Sequence, residues 1–180
     1  MAGIIRGLFG KKRDAHTPAA APSPAAASAG TTQPAAASAE DPGLRQFFVD
    51  DHRACDTAWA ELEDILDGDD DVQDAWDRYE QAMLRHLSWE EDVIFPAFEE
   101  ATGMMGGPTM VMRMEHDQMR AVISQMADLL AQGDRKGVLD RGDTMLMLVQ
   151  QHNMKEEGML YPMAEQALGA RWAELSKRLT

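Results

Sequence analysis

An eighteen-residue stretch occurs twice in this chain, and the duplication limits the folds open to it. HLSWEEDVIFPAFEEATG (86–103) aligns without gaps on HNMKEEGMLYPMAEQALG (152–169), at an offset of 66. His, Glu, Glu, Pro, Glu, Ala and Gly are identical, and an apolar pair precedes each Pro. Upstream of the two copies, His52 and His116 stand 64 residues apart. A duplicated helical hairpin would set equivalent residues facing one another around a pseudo-twofold axis.

The periodicity throughout is helical. Phe48, His52, Cys55, Trp59, Leu62 and Leu66 recur at steps of three and four, which is one face of a helix. Asp41-Pro42 reads as its start, with Asp as N-cap and Pro at the first helical position, and Gly68-Asp69-Asp70 as its end. The second stripe is Val72, Trp76, Tyr79, Met83, His86, Glu90 and Ile94, broken by Gly103 and by Gly106-Gly107-Pro108. The third is Met112, His116, Met119, Ile123, Met126 and Leu130, stopped by Gly133-Asp134. The fourth is Val138, Gly142, Met145, Val149, His152, Glu156, Met159 or Leu160, and Met163; a segment from Trp172 to Leu179 is expected to pack on the end. Four helices with short connections predict an all-α, antiparallel up-down four-helix bundle.

Six polar residues interrupt these apolar seams: His52, His86, Glu90, His116, His152 and Glu156. Residues equally far from a hairpin turn lie at one height on antiparallel helices. The midpoint of His52 and His86 is residue 69, that of His116 and His152 is 134, and that of Glu90 and His116 is 103; each falls in a turn. All six therefore fall within about one or two turns of a single level. A buried Glu without a partner is costly, whereas imidazole and carboxylate together suit iron. Two Glu from opposite helices can bridge two ions, with two His on each as terminal ligands. Of about 12 positions on two octahedral ions, a bridging oxo or hydroxo oxygen would leave roughly two open for a small molecule. A ferritin-like Glu-x-x-His pattern is absent, since residues 49, 83, 113 and 149 are Val, Met, Arg and Val. Zinc is a competing ion, and satisfied core histidines with no metal are the competing structural reading.

The order His52, then HLSWE (His86, Glu90), then His116 in MEHDQM, then HNMKE (His152, Glu156) resembles the hemerythrin or HHE-type cation-binding domain over nearly all of residues 43–165. The resemblance implies a four-helix bundle around a non-haem di-iron centre that meets oxygen, nitric oxide or peroxide. The chain departs from the oxygen-carrying members in having Arg120 where they have a second His in the third helix. It also has Glu156 where they have Asp. It is more similar to the form with four His and two Glu.

Residues around the six carry weaker expectations. Glu91 and Glu157 point about 100° away from the ligating face and are read as solvated or supporting groups. Glu115 and Asp117 flank His116 as candidate acceptors for ring N–H groups. The seam methionines are read as core filler rather than ligands. Tyr79 and Tyr161 are candidate donors to a bound oxygen species, Cys55 a structural thiol, and Pro96 and Pro162 kinks or ends of the ligand helices.

Charge and composition divide the chain near residue 40. From Ala15 to Ala39, 22 of 25 residues are Ala, Pro, Ser or Thr, which reads as a flexible linker ahead of a folded domain over residues 41–180. The first forty residues carry a net +2 and the whole chain −14, an acidity that argues against nucleic acid as a partner. Ile4, Ile5, Leu8 and Phe9 form an apolar face beside Arg6 and Lys11-Lys12-Arg13, and residues 1–13 could dock on an anionic membrane surface or a protein. One cysteine excludes an internal disulfide and fits a reducing cytoplasm, and no run is long enough to span a bilayer. The expected function is binding or sensing of oxygen or a related diatomic gas. The alternative is an enzyme acting on peroxide or nitric oxide, or a donor of iron for repair of damaged iron centres.

Overall fold

The computed structural model describes residues 42–68 and 70–179. The amphipathic segment and linker read over residues 1–40, and the Asp41 cap, lie outside them. Helix α1 spans Leu44–Leu66 and α2 Gln73–Trp89. A π-helical turn, Glu90–Ile94, joins α2 to α3, Phe95–Thr102. Helix α4 spans Pro108–Ala131 and α5 Arg135–Lys155. A second π-helical turn, Glu156–Leu160, leads into α6, Tyr161–Leu168, and a short α7, Trp172–Leu175, follows. The second and fourth rods of the bundle are thus α2–α3 and α5–α6, each running through a π turn. The architecture is the all-α antiparallel bundle the stripes predict, and the described residues contain no strand.

The breaks fall where the sequence places them. Gly103 (φ 72°) ends α3 and Gly133 (φ 74°) follows α4, both in the left-handed region that glycine enters without a Cβ clash. Pro108 opens α4, where its missing N–H costs nothing. Asp134 caps α5 by accepting from the Gly137 N–H at 2.9 Å. The start of α1 differs from expectation: it begins at Leu44 rather than Pro42, and Gly43 gives no side-chain cap. Glu165 on α6 accepts from the Arg45 N–H at 2.8 Å instead, so a distant helix supplies the cap. At the other end, the Arg135 guanidinium donates to the carbonyls of Ile65 (2.9 Å), Gly68 (2.8 Å) and Asp70, closing the end of α1 from the start of α5.

The π turns revise the reading of the two prolines. Pro96 and Pro162 do not end their rods; each is the second residue of the α-helix that follows a π turn. A proline ring clashes with the carbonyl four residues back and cannot bond to it. The wider turn takes up that misfit, with the Phe95 and Tyr161 N–H groups bonding five residues back to Glu90 and Glu156. It also shifts the register: Leu160 is buried, and Met159, the other candidate for that seam position, is 49% exposed.

Two apolar clusters fill the bundle, one toward each end. Leu62, Leu66, Trp76, Tyr79, Ile123 and Met126 belong to the first. Phe48, Ile94, Phe95, Phe98, Leu160 and Leu168 belong to the second, which Trp172 and Leu175 help to cover. Along every rod the six polar residues fall at the junction between the two clusters. No helix among the described residues is long and apolar enough to cross a membrane.

Candidate metal centre

All six sequence-predicted residues are buried, and the bundle brings them together. His52, His86, His116 and His152 are at most 3% exposed, and Glu90 and Glu156 are fully buried. The histidines form two pairs, one from each hairpin: His52 with His86, ring centroids 4.7 Å apart, and His116 with His152, 4.8 Å apart. Each carboxylate reaches both pairs. Glu90 Oε2 lies 3.6 Å from His86 Nε2 and 3.3 Å from His116 Nε2. Glu156 lies 3.2 Å from His52 Nε2 through Oε2 and 3.0 Å from His152 Nε2 through Oε1. Ligand atoms of Glu90, His116, His152 and Glu156 all fall within 4.8 Å of one another, as do those of His52, His86 and Glu156.

Every histidine is held from behind by a carboxylate on a neighbouring rod. Asp51 accepts from His86 Nδ1 at 3.0 Å, Glu157 from His52 Nδ1 at 2.9 Å, Glu91 from His116 Nδ1 at 2.8 Å and Glu115 from His152 Nδ1 at 3.0 Å. An Nδ1–H that donates outward leaves the neutral ring with its Nε2 lone pair facing inward, the arrangement a metal ligand needs. Cations stand behind three of these carboxylates: Arg85 on Asp51 (2.8 Å), Arg120 on Glu91 (2.9 and 2.8 Å) and Lys155 on Glu115. Burial disfavours ionisation of Asp51, Glu91 and Glu115, but the hydrogen bonds from histidine and from Arg or Lys prevail and lower all three pKa values.

Sequence reasoning found part of this outer layer. Glu91 and Glu157 do face away from the centre, and they hold histidines of other rods. Glu115 supports His152 rather than its neighbour His116, because the acceptor faces the adjacent rod. Asp117 supports no ring; its side chain is 83% exposed beside Arg120. Asp51 was missed, although the repeat contained the signal. It precedes His52 as Glu115 precedes His116, at the same offset of 64. Arg120, one turn after His116, is the cation behind Glu91.

Tyr161 enters the centre because of the π turn. On a regular α-helix a residue five positions after Glu156 would lie roughly 140° around the axis. The wide turn brings its hydroxyl instead to 2.8 Å from Glu90 Oε1, 2.8 Å from Glu156 Oε2 and 3.0 Å from His52 Nε2. Burial and the two carboxylates push its pKa well up, so the hydroxyl keeps its proton. The equivalent of Tyr161 in the other copy is Phe95, which stacks on His116 at 5.6 Å and offers no hydroxyl. One half of the centre therefore has a hydrogen-bond donor that the other lacks. Tyr79, by contrast, packs against Trp59 and Trp76 in the first apolar cluster.

The cluster does not satisfy itself. His86 Nε2, Glu90 Oε2 and Glu156 Oε1 are buried with no hydrogen-bond partner. Glu156 Oε1 is close to His152 Nε2 yet not aligned with it for a hydrogen bond, so proximity there is electrostatic only. Burial would hold His52 and His152 neutral. The proximity and charge of Glu156 overcome it, raising His52 and carrying His152 to about 9. Burial likewise disfavours a charged Glu156, but His152 and His52 hold it well below the usual carboxylate range. Unpaired nitrogen and carboxylate atoms converging in a buried layer fit a multivalent cation, which would bind all of them without a proton between them.

Helix order, the two His-x-x-x-Glu pairs and this buried cluster agree with the comparisons. The family model described as the hemerythrin HHE cation binding domain matches residues 44–164. No curated protein and no solved structure matches the chain. The buried cluster of histidine and glutamate has the donor set to hold a metal ion, and the chain belongs to the hemerythrin HHE cation-binding domain family.

Proposed function

We propose that His52, His86, Glu90, His116, His152 and Glu156 hold two iron ions, and that the centre binds or senses oxygen or a related diatomic gas. The observation that carries this reading is the reach of each carboxylate to histidines of both pairs, which matches two ions sharing two bridges. His52 and His86 would hold one ion and His116 and His152 the other, with Glu90 and Glu156 within reach of both pairs. When bound, the metal pair supplies open coordination positions and one-electron redox chemistry. The protein's part is to orient and to exclude water. The four outer carboxylates fix the rings, the apolar clusters close the layer above and below, and Tyr161 presents a single protonated hydroxyl beside Glu90 and Glu156. The same centre would serve the alternative reading, turnover of peroxide or nitric oxide or release of iron for repair.

The lone, buried Cys55 fits a reducing compartment, and we place the protein in the cytoplasm, with residues 1–13 available to dock on an anionic membrane surface or a partner. Metal analysis with reduced and oxidised absorption spectra tests the main reading. About two irons per chain and a ferric charge-transfer band that changes on exposure to oxygen or nitric oxide are expected. His86→Ala and Glu156→Ala should each empty the centre; full iron content in both variants would refute the assignment. Rapid turnover of peroxide by the wild-type protein would favour the enzyme.

A further inference from the structure

Three flanks of the histidine layer are locked by ion pairs, and the fourth is not. Arg85–Asp51 closes the side between α1 and α2, and Lys155–Glu115 the side between α4 and α5. Arg120–Glu91 does the same between α4 and the second rod. On the remaining side, between α1 and α5, Glu157 holds His52 but makes no ion pair with Lys or Arg among the described residues, and its side chain is 40% exposed.

Cavities line up on that side. A solvent-open groove of about 500 Å³ is bordered by Asp56, Trp59, Val149, Asn153 and Glu157. Behind it lies a cavity of about 20 Å³ walled by Cys55, Trp59, Met83, Met145 and Val149. A third space, of about 10 Å³, is walled by Cys55, Met83, Met119 and Val149 together with His52, His86 and His152. Val149 borders all three spaces, and Trp59 stands between the first two. The indole of Trp59 lies over Gly142, where a Cβ would come 2.0 Å from its ring, so the glycine leaves the room in which this wall sits.

We propose that this flank is the entry path to the centre, and that it admits small uncharged molecules while rejecting anions. Apart from Asp56 at the outer cavity and Asn153 and the three histidines of the innermost space, the walls are thioether, aliphatic and aromatic groups and one thiol. Burial pushes Cys55 up to about 12, which keeps that thiol neutral. An anion would lose its hydration between the apolar walls, and Asp56 and Glu157 at the mouth repel it beforehand. Spaces this small hold about one water-sized molecule. The path favours small uncharged molecules over anions. This inference rests on the proposed metal centre for its biological use, but the path itself does not depend on metal.

The test therefore has a metal-free arm. Metal-free crystals under xenon pressure should show xenon between Cys55 and Val149 in the wild type and none there in Val149→Phe, whose ring fills the shared wall. In the iron-loaded protein, Val149→Phe should slow oxidation by oxygen on the order of tenfold, equivalent to about 1.4 kcal/mol in the entry barrier. Iron content and spectrum should stay unchanged. Trp59→Ala, which widens the path, should speed oxidation and decides the matter if Val149→Phe fails to fold. Xenon bound elsewhere only, or an oxidation rate indifferent to whichever of the two variants folds, would overturn the path. Loss of iron from the wild type would instead defeat the proposed function and leave the xenon result standing.

Discussion

The four outer carboxylates should tune metal affinity in proportion to their burial. Asp51 is the most enclosed, its side chain 10% exposed, and it binds both His86 and Arg85. Glu157 is the least, at 40%, and binds only His52. Asp51→Asn keeps the shape and an acceptor oxygen but removes the charge. A hydrogen bond to a charged group contributes about 1.5–3 kcal/mol and a neutral one about 0.5–1.5, so the loss is about 1–1.5 kcal/mol. That is roughly a 5–15-fold weakening of metal binding, toward the lower end of what supporting partners of metal-bound histidine usually show. Asp51→Ala, which removes the acceptor as well, should approach about 100-fold. Glu157→Gln loses the same formal charge where solvent screens it, and about twofold is expected. Asp117→Asn, whose carboxylate supports no ring, serves as the control with no change. Anaerobic competition of ferrous iron against a chromophoric chelator measures all four variants. Equal losses for Asp51→Asn and Glu157→Gln, or none for Asp51→Asn, would refute the argument that these carboxylates act through the histidines in a way graded by burial.

Two further outcomes follow from the centre's electrostatics. In the metal-free protein His52 and His152 have raised pKa values, so their contribution to stability is complete below about 6.5, and the share of His152 is lost as pH rises through about 9. Glu156, held low, contributes above about 4.5 and loses that contribution only in stronger acid. Thermal melts of chelator-treated protein should therefore fall between about pH 6.5 and 9.5, and a flat profile would refute the assignment. Tyr161→Phe strips the donor from Glu90 Oε1 and Glu156 Oε2 and should cost the metal-free fold about 1–3 kcal/mol. The metal-loaded fold should lose less, because cations then satisfy both carboxylates; equal losses in denaturant titrations with and without iron would count against that role.

Much of this architecture was legible in the sequence because it rests on period and symmetry. The stripes gave four rods, Gly103, Gly133 and Pro108 marked the breaks, and turn midpoints put six polar residues at one height. Those inferences need only a constant rise per residue, which an α-helix supplies. Where the helix stopped being regular, they drifted. The π turns after Glu90 and Glu156 moved Leu160 rather than Met159 into the core and brought Tyr161 into the metal layer. Periodicity of 3.6 residues left Met159 and Leu160 as alternatives and did not place Tyr161, a candidate donor, on the ligating face.

The cap on α1 and the partners of the histidines were illegible for a different reason. Glu165 capping Arg45, and Glu115 serving His152 instead of His116, are contacts between rods. A sequence pattern reports which face a residue occupies, but not which side chain on the neighbouring helix meets it. The identities of the six inward groups were thus written into the chain as a local code. How each ring is held, which flank stays open, and why only one half of the centre carries a hydroxyl came from packing, because those depend on distances between segments far apart in the chain.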